Sequence, residues 1–250
     1  MRVGRETFET DQAQRQKDAK GYAEGKGLIG GDPKRRPDHV RWRAIPEEQP
    51  YFRLIEISEG KRGRLDRFLD HRPLEIEVGF GSGEFMLGRA SADPNRHFLG
   101  FEVKRHLCRG ITRHVEQRGL NNLWISDDDA RWALPQLNLL AKVDVIHVLY
   151  PDPWWKRKHR ARRLFTEPVA ALFHDQLGPD GILHIRSDVE GYARLIEEIL
   201  AIHGGFTPND PALARSFDAD PATRREAFCQ SINRPFRIMA FRKTTWSSLA

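Results

Sequence analysis

The chain has 250 residues, 39% of them hydrophobic, enough for one sizeable core. Cys108 and Cys229, its only cysteines, lie too far apart for a disulfide framework or a metal-ligand spacing, and no apolar stretch is long enough to span a bilayer. The net charge of +6 is concentrated: residues 1–45 carry 11 Lys/Arg against 7 Asp/Glu, residues 152–163 carry 6 against 1, and the remainder sums to −3. Such focusing favours a nucleic-acid footprint over general solubility.

Residues 1–50 are expected to form a basic N-terminal extension, glycine-rich and without apolar periodicity. They are either a disordered tail or an arm that orders on RNA. They contain no charged-then-apolar signal segment at their start, so a cytoplasmic protein is expected. Residues 51–250 then read as a single domain of apolar runs alternating with amphipathic segments. Strands are predicted at Leu74–Val78, His97–Glu102, Leu123–Ser126, Val143–Leu149, Gly181–Ser187 and Pro235–Arg242. Helices are predicted at Glu84–Ala92, Lys104–Gln117, Arg131–Leu140, Thr166–Gln176 and Glu190–Ile202. Gly204-Gly205-Phe206 suggests one more strand, paired with the last. The expected fold is α/β and Rossmann-like: a mostly parallel seven-stranded sheet with an antiparallel C-terminal hairpin and helices on both faces.

The first predicted strand runs into Gly79-Phe80-Gly81-Ser82-Gly83, where three glycines allow a sharp turn and close approach of a ligand to the backbone. The spacing is not that of a dinucleotide fingerprint, which argues against a nicotinamide dehydrogenase. Glu77 and Glu84 beside the loop repel a diphosphate and suit a cationic or zwitterionic ligand. Glu102 ends the second predicted strand, where a carboxylate accepts both hydroxyls of a ribose. Asp129, before Ala130, either caps the helix that begins there, contacts an adenine ring, or does both. An adenosine without phosphates and with a positive centre satisfies this set, and S-adenosylmethionine is such a molecule.

Past the strand Val143–Leu149 comes Tyr150-Pro151-Asp152-Pro153-Trp154-Trp155, followed by six cations between Lys156 and Arg163. Asp152 is expected at the carboxyl end of a buried parallel strand, held by a proline on each side. The cations suit phosphates; the tryptophans either stack a base or pack under the loop. Asp188 and Glu190 follow the fifth predicted strand, at the substrate edge, although Asp188 is also placed to cap the next helix.

These motifs, with Phe98-Leu99-Gly100-Phe101-Glu102-Val103, Lys156-x-x-His159-x-x-Arg162-Arg163 and Ser187-Asp188-x-Glu190-x-Tyr192-Ala193, resemble the tRNA (guanine-N7)-methyltransferase family over residues 65–242. The resemblance implies transfer of a methyl group from S-adenosylmethionine to guanine N7 in the variable loop of tRNA. It places Glu77, Gly79, Gly81, Gly83, Glu102, Asp129, Ala130 and Asp152 at the cofactor, with Asp152 also the catalytic residue. Lys156, Asp188, Thr223 and Glu226 are implied at the substrate. A tRNA partner, no metal, no membrane, and a monomer or homodimer are expected. Three positions depart from the family: Ser187 for a threonine, Val189 for an aromatic, and Arg225 for the aromatic between Thr223 and Glu226. Arg225 and the unmatched N-terminal 60 residues leave one alternative, a related methyltransferase with another RNA or a protein acceptor; a second, a non-catalytic RNA-binding protein on the same scaffold, would be favoured by loss of the glycine loop or of Asp152, and both are present. Guanine N7 carries a lone pair and no proton, so its methylation needs alignment more than a general base. The positive charge it acquires suits a nearby carboxylate such as Asp152, which alternatively grips the guanine amino edge.

Overall fold

The computed structural model describes residues 45–71, 73–137 and 139–244, without the side chains of Lys158 and Arg160. Nearly all of the expected basic extension lies outside these residues. Backbone packing separates the short segment Trp154–Arg162 from a sheet domain, Ile45–Pro153 with Arg163 onward, and each is described by itself.

In chain order the sheet domain comprises β1 (Tyr51–Phe52), α1 (Glu59–Leu69), β2 (Leu74–Val78), α2 (Glu84–Ala92), β3 (His97–Phe101), α3 (Arg105–Gln117), β4 (Leu123–Ser126), α4 (Ala130–Ala133) and β5 (Val143–Leu149). It continues with α5 (Glu167–Gln176), β6 (Leu177–Ser187), α6 (Glu190–His203), α7 (Pro211–Arg215), α8 (Arg224–Ser231) and β7 (Arg237–Arg242). The strand order is β1-β4-β3-β2-β5-β6-β7, and only the β6–β7 pair is antiparallel. The chain turns from one side of β2 to the other when it enters β5, so the crevice at their carboxyl ends is the topological switch point.

The seven-stranded, mostly parallel sheet matches the expectation, with four local differences. Gly204-Gly205-Phe206 forms no strand; Phe206 makes one antiparallel bridge to Lys243. The antiparallel partner of β7 is β6, reached through α6, α7 and α8 and not by a hairpin turn. The seventh strand is instead β1, two residues that extend the far edge alongside β4. The helix expected over Arg131–Leu140 stops at Ala133 and gives way to a 3-10 turn at Leu134–Gln136, because Pro135 has no N–H to continue the ladder.

All five residues of β2 are buried, although Leu-Glu-Ile-Glu-Val reads as a half-exposed strand. Leu74, Ile76 and Val78 enter the main apolar core; Glu75 and Glu77 point to the opposite face, because strand side chains alternate. That face carries a buried polar row. Glu75 takes two hydrogen bonds from Arg89, each 2.8 Å, and one of 2.8 Å from Arg96. His147 Nε2 lies 3.0 Å from Glu75, His147 Nδ1 lies 2.8 Å from His184 Nδ1, and Arg186 Nε lies 3.4 Å from His184 Nε2.

A guanidinium only donates and a carboxylate only accepts, so the protons in this row are fixed in one direction. Arg186 donates to His184 Nε2, His184 Nδ1–H to His147 Nδ1, and His147 Nε2–H to Glu75. Burial pushes both imidazoles down, consistent with two neutral rings.

Candidate active site

The carboxyl edge of the sheet gathers most of the residues singled out above. Glu77 is the penultimate residue of β2. Gly79, Gly81 and Gly83 follow with φ values of 79°, 58° and 80°, the left-handed region that glycine enters without a steric penalty. Added Cβ atoms at Gly79 and Gly81 would meet nothing within 4 Å, so the loop borders open space; at Gly83 a Cβ would lie 2.1 Å from Ile111 Cδ1. Gly83 is thus also a packing requirement, where α2 starts against α3.

The two glutamates of β2, two residues apart on one face, are driven in opposite directions. For Glu75, burial opposes ionisation, but its contacts with His147 and Arg89 outweigh it and bring the carboxyl down to about 2. For Glu77, burial dominates, Glu84 and Glu102 add repulsion, and the carboxyl is pushed up to about 8. Glu77 Oε2 is buried without a hydrogen-bond partner among the described residues. A buried carboxyl lacking a partner beside an open glycine loop is a ready counter-ion for a cationic ligand nitrogen.

Glu102, just past β3, ties the loop down: one carboxylate oxygen accepts from Gly81 N at 3.1 Å and the other from Lys104 N at 3.0 Å. Each oxygen keeps a further lone pair for a ribose hydroxyl. Beneath it the buried Cys108 thiol donates to Glu102 O at 2.9 Å. After β4, three consecutive aspartates have separate duties. Asp127 is held by Arg53, through bonds of 3.0 and 2.5 Å, and by Arg105 at 2.7 Å. Asp128 accepts from Leu54 N and Ser126 Oγ, both at 2.8 Å. Asp129 caps α4 by accepting from Arg131 N at 3.0 Å, and the Arg131 guanidinium also binds it. Sequence reasoning missed that Asp127 and Asp128 anchor the segment around β1; their partners lie 74 residues away in the chain.

Asp152 stands exposed at the end of β5. Its loop is fixed on both sides: Tyr150 N donates to Arg186 O at 2.7 Å and Arg163 Nε to Pro153 O at 2.8 Å. Tyr150 has a φ of 53°, a left-handed value that an aromatic residue adopts only under constraint.

On the substrate side, Asp188 lies just past β6 with a side chain 5% exposed. Arg225 reaches its Oδ2 at 2.6 Å and Arg234 reaches the same oxygen at 3.1 Å. Burial would raise this carboxyl, but those two hydrogen bonds outweigh it and hold it below the usual range. Thr223 and Glu226 have capping-box spacing, and half of the box forms: Thr223 Oγ1 accepts from Glu226 N at 3.0 Å. The Glu226 carboxylate turns inward instead, to the fully buried Arg186 at 2.5 Å. Replacing Glu226 with alanine strands that guanidinium, so denaturant unfolding of Glu226→Ala should show a loss of about 3–5 kcal/mol. Glu226→Gln, which keeps an acceptor, should lose less.

Lys156 belongs to the separate segment Trp154–Arg162, where residues Arg157–Arg162 form a 3-10 helix. Within it the Trp154 ring stacks on His159, centroids 5.3 Å apart, and the Arg162 guanidinium lies 5.1 Å from the same ring. Trp154 is therefore engaged inside its own loop, whereas Trp155 is 51% exposed. At the opposite, amino edge of the sheet a cavity of about 490 Å³ opens among Pro73, Glu75, Asp144 and Pro179. Glu75 there is fully satisfied by Arg89, Arg96 and His147, so this cavity lacks the orphaned group found at the carboxyl edge. No cluster of potential metal ligands occurs among the described residues.

A Rossmann-like sheet that ends at its switch point in an acid-lined glycine loop, with carboxylates after β2, β3 and β4, defines a class I S-adenosylmethionine-dependent methyltransferase. A family model described as a putative methyltransferase matches residues 71–237. The chain is 36% identical over 176 residues to the tRNA (guanine-N(7)-)-methyltransferase of Alcanivorax borkumensis, covering 69% of this chain and 71% of that protein. To the enzyme of the same name from Myxococcus xanthus it is 30% identical over 161 residues, covering 64% and 78%. Among solved structures, the aminoglycoside resistance methyltransferase NpmB1 superposes with a TM-score of 0.51 at 20% identity, covering 73% of this chain and 93% of that one. The 16S rRNA methyltransferase KamB gives 0.52 at 17%, covering 76% and 94%; both share the fold. The chain belongs to the tRNA (guanine-N7)-methyltransferase family.

Proposed function

We propose that the protein methylates N7 of a guanine in the variable loop of tRNA, with S-adenosylmethionine as donor. Membership of the family carries this reading. The partnerless Glu77 carboxyl and the space over Gly79 and Gly81 fit the donor's amino-acid end. In this assignment Glu77 takes the ammonium group, the glycine loop lies against the methionine part, Glu102 takes the ribose, and Asp129 with Ala130 borders the adenine. When bound, the donor supplies an electrophilic methyl group on a sulfonium.

The chain's own residues orient and compensate charge. Guanine N7 has no proton to remove, so no general base is assigned. Asp152, on a loop locked by its two neighbouring contacts, offsets the positive charge that develops on the imidazole ring of the base. Asp188, at the end of β6, takes the donor edge of the guanine. Lys156 and its neighbouring cations hold tRNA phosphates. No described helix is long and apolar enough to cross a membrane, and we assign the protein to the cytoplasm, as monomer or homodimer, with its tRNA.

The deciding experiment is incubation with bulk bacterial tRNA and methyl-labelled S-adenosylmethionine, followed by nucleoside analysis. Label in 7-methylguanosine is the expected result; cofactor binding without label in tRNA overturns the acceptor assignment. The phosphate role predicts a salt-dependent affinity for tRNA. In a binding titration over a range of salt, each of Lys156→Ala, Arg157→Ala and Arg162→Ala that removes a phosphate contact should flatten the log–log slope by about one.

A further inference from the structure

Tyr150 has no part in the proposed mechanism, yet it borders the candidate site. The Tyr150 hydroxyl is shielded from solvent and has no hydrogen-bond partner among the described residues. Buried polar groups without partners are rare in native proteins and mark a place where a ligand or water completes the structure. The backbone that delivers this phenol is itself constrained, with φ at 53°, and its N–H is tied to Arg186 O at 2.7 Å. The ring is braced edge-on by Phe236, centroids 6.0 Å apart. Tyr150 immediately precedes the Pro151-Asp152-Pro153 turn, and its electrostatic neighbours are Glu226, Arg186, Cys229 and Asp188. It therefore stands between the end of β5, which carries Asp152, and the end of β6, which carries Asp188.

Arg225 reaches the same end of the sheet. It pairs with Asp188 at 2.6 Å, its guanidinium sits 5.3 Å from the Phe228 ring, and Tyr150 is within its electrostatic reach. Its side chain is 44% exposed, and that of Arg234, the second partner of Asp188, is 45% exposed. Ion pairs made by such exposed arginines are weak and readily exchanged, for instance with an RNA phosphate. Displacing Arg225 would free the Asp188 carboxylate on the side of the site that holds the Tyr150 ring.

Guanine offers a matching edge. Its O6 accepts, its N1–H and N2–H donate, and O6 adjoins the reacting N7. We propose that Tyr150 is a specificity-determining residue whose hydroxyl donates to O6 of the target guanine beside Asp188, and that Arg225 occupies this place until the base arrives. Burial keeps the phenol protonated and so able to donate. Because a phenol oxygen both donates and accepts, the hydroxyl alone does not reject adenine's amino group; the purines are told apart by the pair, since Asp188 only accepts and meets guanine N1–H and N2–H, where adenine has an acceptor at N1 and no amino group at C2.

The inference rests on the guanine-N7 reading, and its test separates the two. Wild type that leaves tRNA guanine unmethylated refutes that reading first. Given an active wild type, Tyr150→Phe should lower kcat/KM for tRNA roughly tenfold to a hundredfold. Its Tm should be unchanged or raised, since the lost hydroxyl satisfies nothing in the free protein, and its affinity for the cofactor product S-adenosylhomocysteine should be unchanged. A tRNA carrying 6-thioguanine at the target position, whose sulfur is a poor acceptor, should be a worse substrate for wild type and cost Tyr150→Phe little more. Activity of Tyr150→Phe within twofold of wild type overturns the proposal, and so does a 6-thioguanine penalty of equal size in both enzymes.

Discussion

Glu77→Gln should weaken cofactor binding by two orders of magnitude or more while making the cofactor-free protein more stable. The two signs have one cause. The unfolded chain ionises Glu77 above its ordinary value of 4.5, while the folded chain keeps the proton until about 8. A carboxyl whose folded-state value lies above its unfolded one costs stability as pH rises between the two, and the cost levels off above the higher. At pH 9 the penalty approaches roughly 5 kcal/mol, and glutamine removes it. Thermal melts of the two proteins should therefore agree near pH 4.5 and diverge toward pH 9, the variant melting higher. Binding supplies the counter-charge that the free site lacks, so near pH 7 wild type should release a proton when the cofactor's ammonium group arrives. Calorimetry in two buffers of different ionisation enthalpy reads that proton directly. Its absence in wild type would remove Glu77 from the ammonium site.

Asp152→Asn should lower kcat by about a hundredfold or more, with Tm nearly unchanged. The magnitude is that of losing one preorganised electrostatic contact to a charge that exists only as the reaction proceeds. Asparagine keeps the shape and one acceptor oxygen, and the turn around it is held by backbone contacts that do not involve the side chain. A rate close to wild type in single turnover would end the charge-stabilising role. A raised KM with kcat intact would instead move Asp152 to gripping the base.

What could be read from the chain alone depended on how local the determining interactions are. The runs Leu74–Val78, Leu123–Ser126 and Val143–Leu149 have the bounds predicted for them, since the first alternates apolar and acidic residues, the other two are mainly apolar, and glycine, aspartate or tyrosine-proline turns follow them. A two-residue strand such as Tyr51–Phe52 has no period to detect; it exists because β4 offers it a free edge. The glycine loop, Glu102, Asp129, Asp152 and Asp188 come together at one edge because each follows a parallel strand, a placement that topology alone supplies. Their partners were not legible. Arg225 and Arg234 meet Asp188 from helix α8 and the turn after it, and Glu226 reaches Arg186 across 40 positions of sequence. That Thr223 caps α8 and that the Glu226 carboxylate is diverted inward were not legible either, because the diversion answers a charge buried in another strand.

The short β1 edge also bears on how the chain can be shortened. Trimming from the N terminus past Arg53 and Leu54 would leave Asp127 with Arg105 alone and Asp128 without its bond from Leu54 N, and would uncover the outer edge of β4. A bare parallel edge recruits strands from other copies. The segment just before α1 is thus a guard against self-association, and a shortened chain that keeps every residue of the methyl-transfer site but starts at Glu59 should be prone to aggregate.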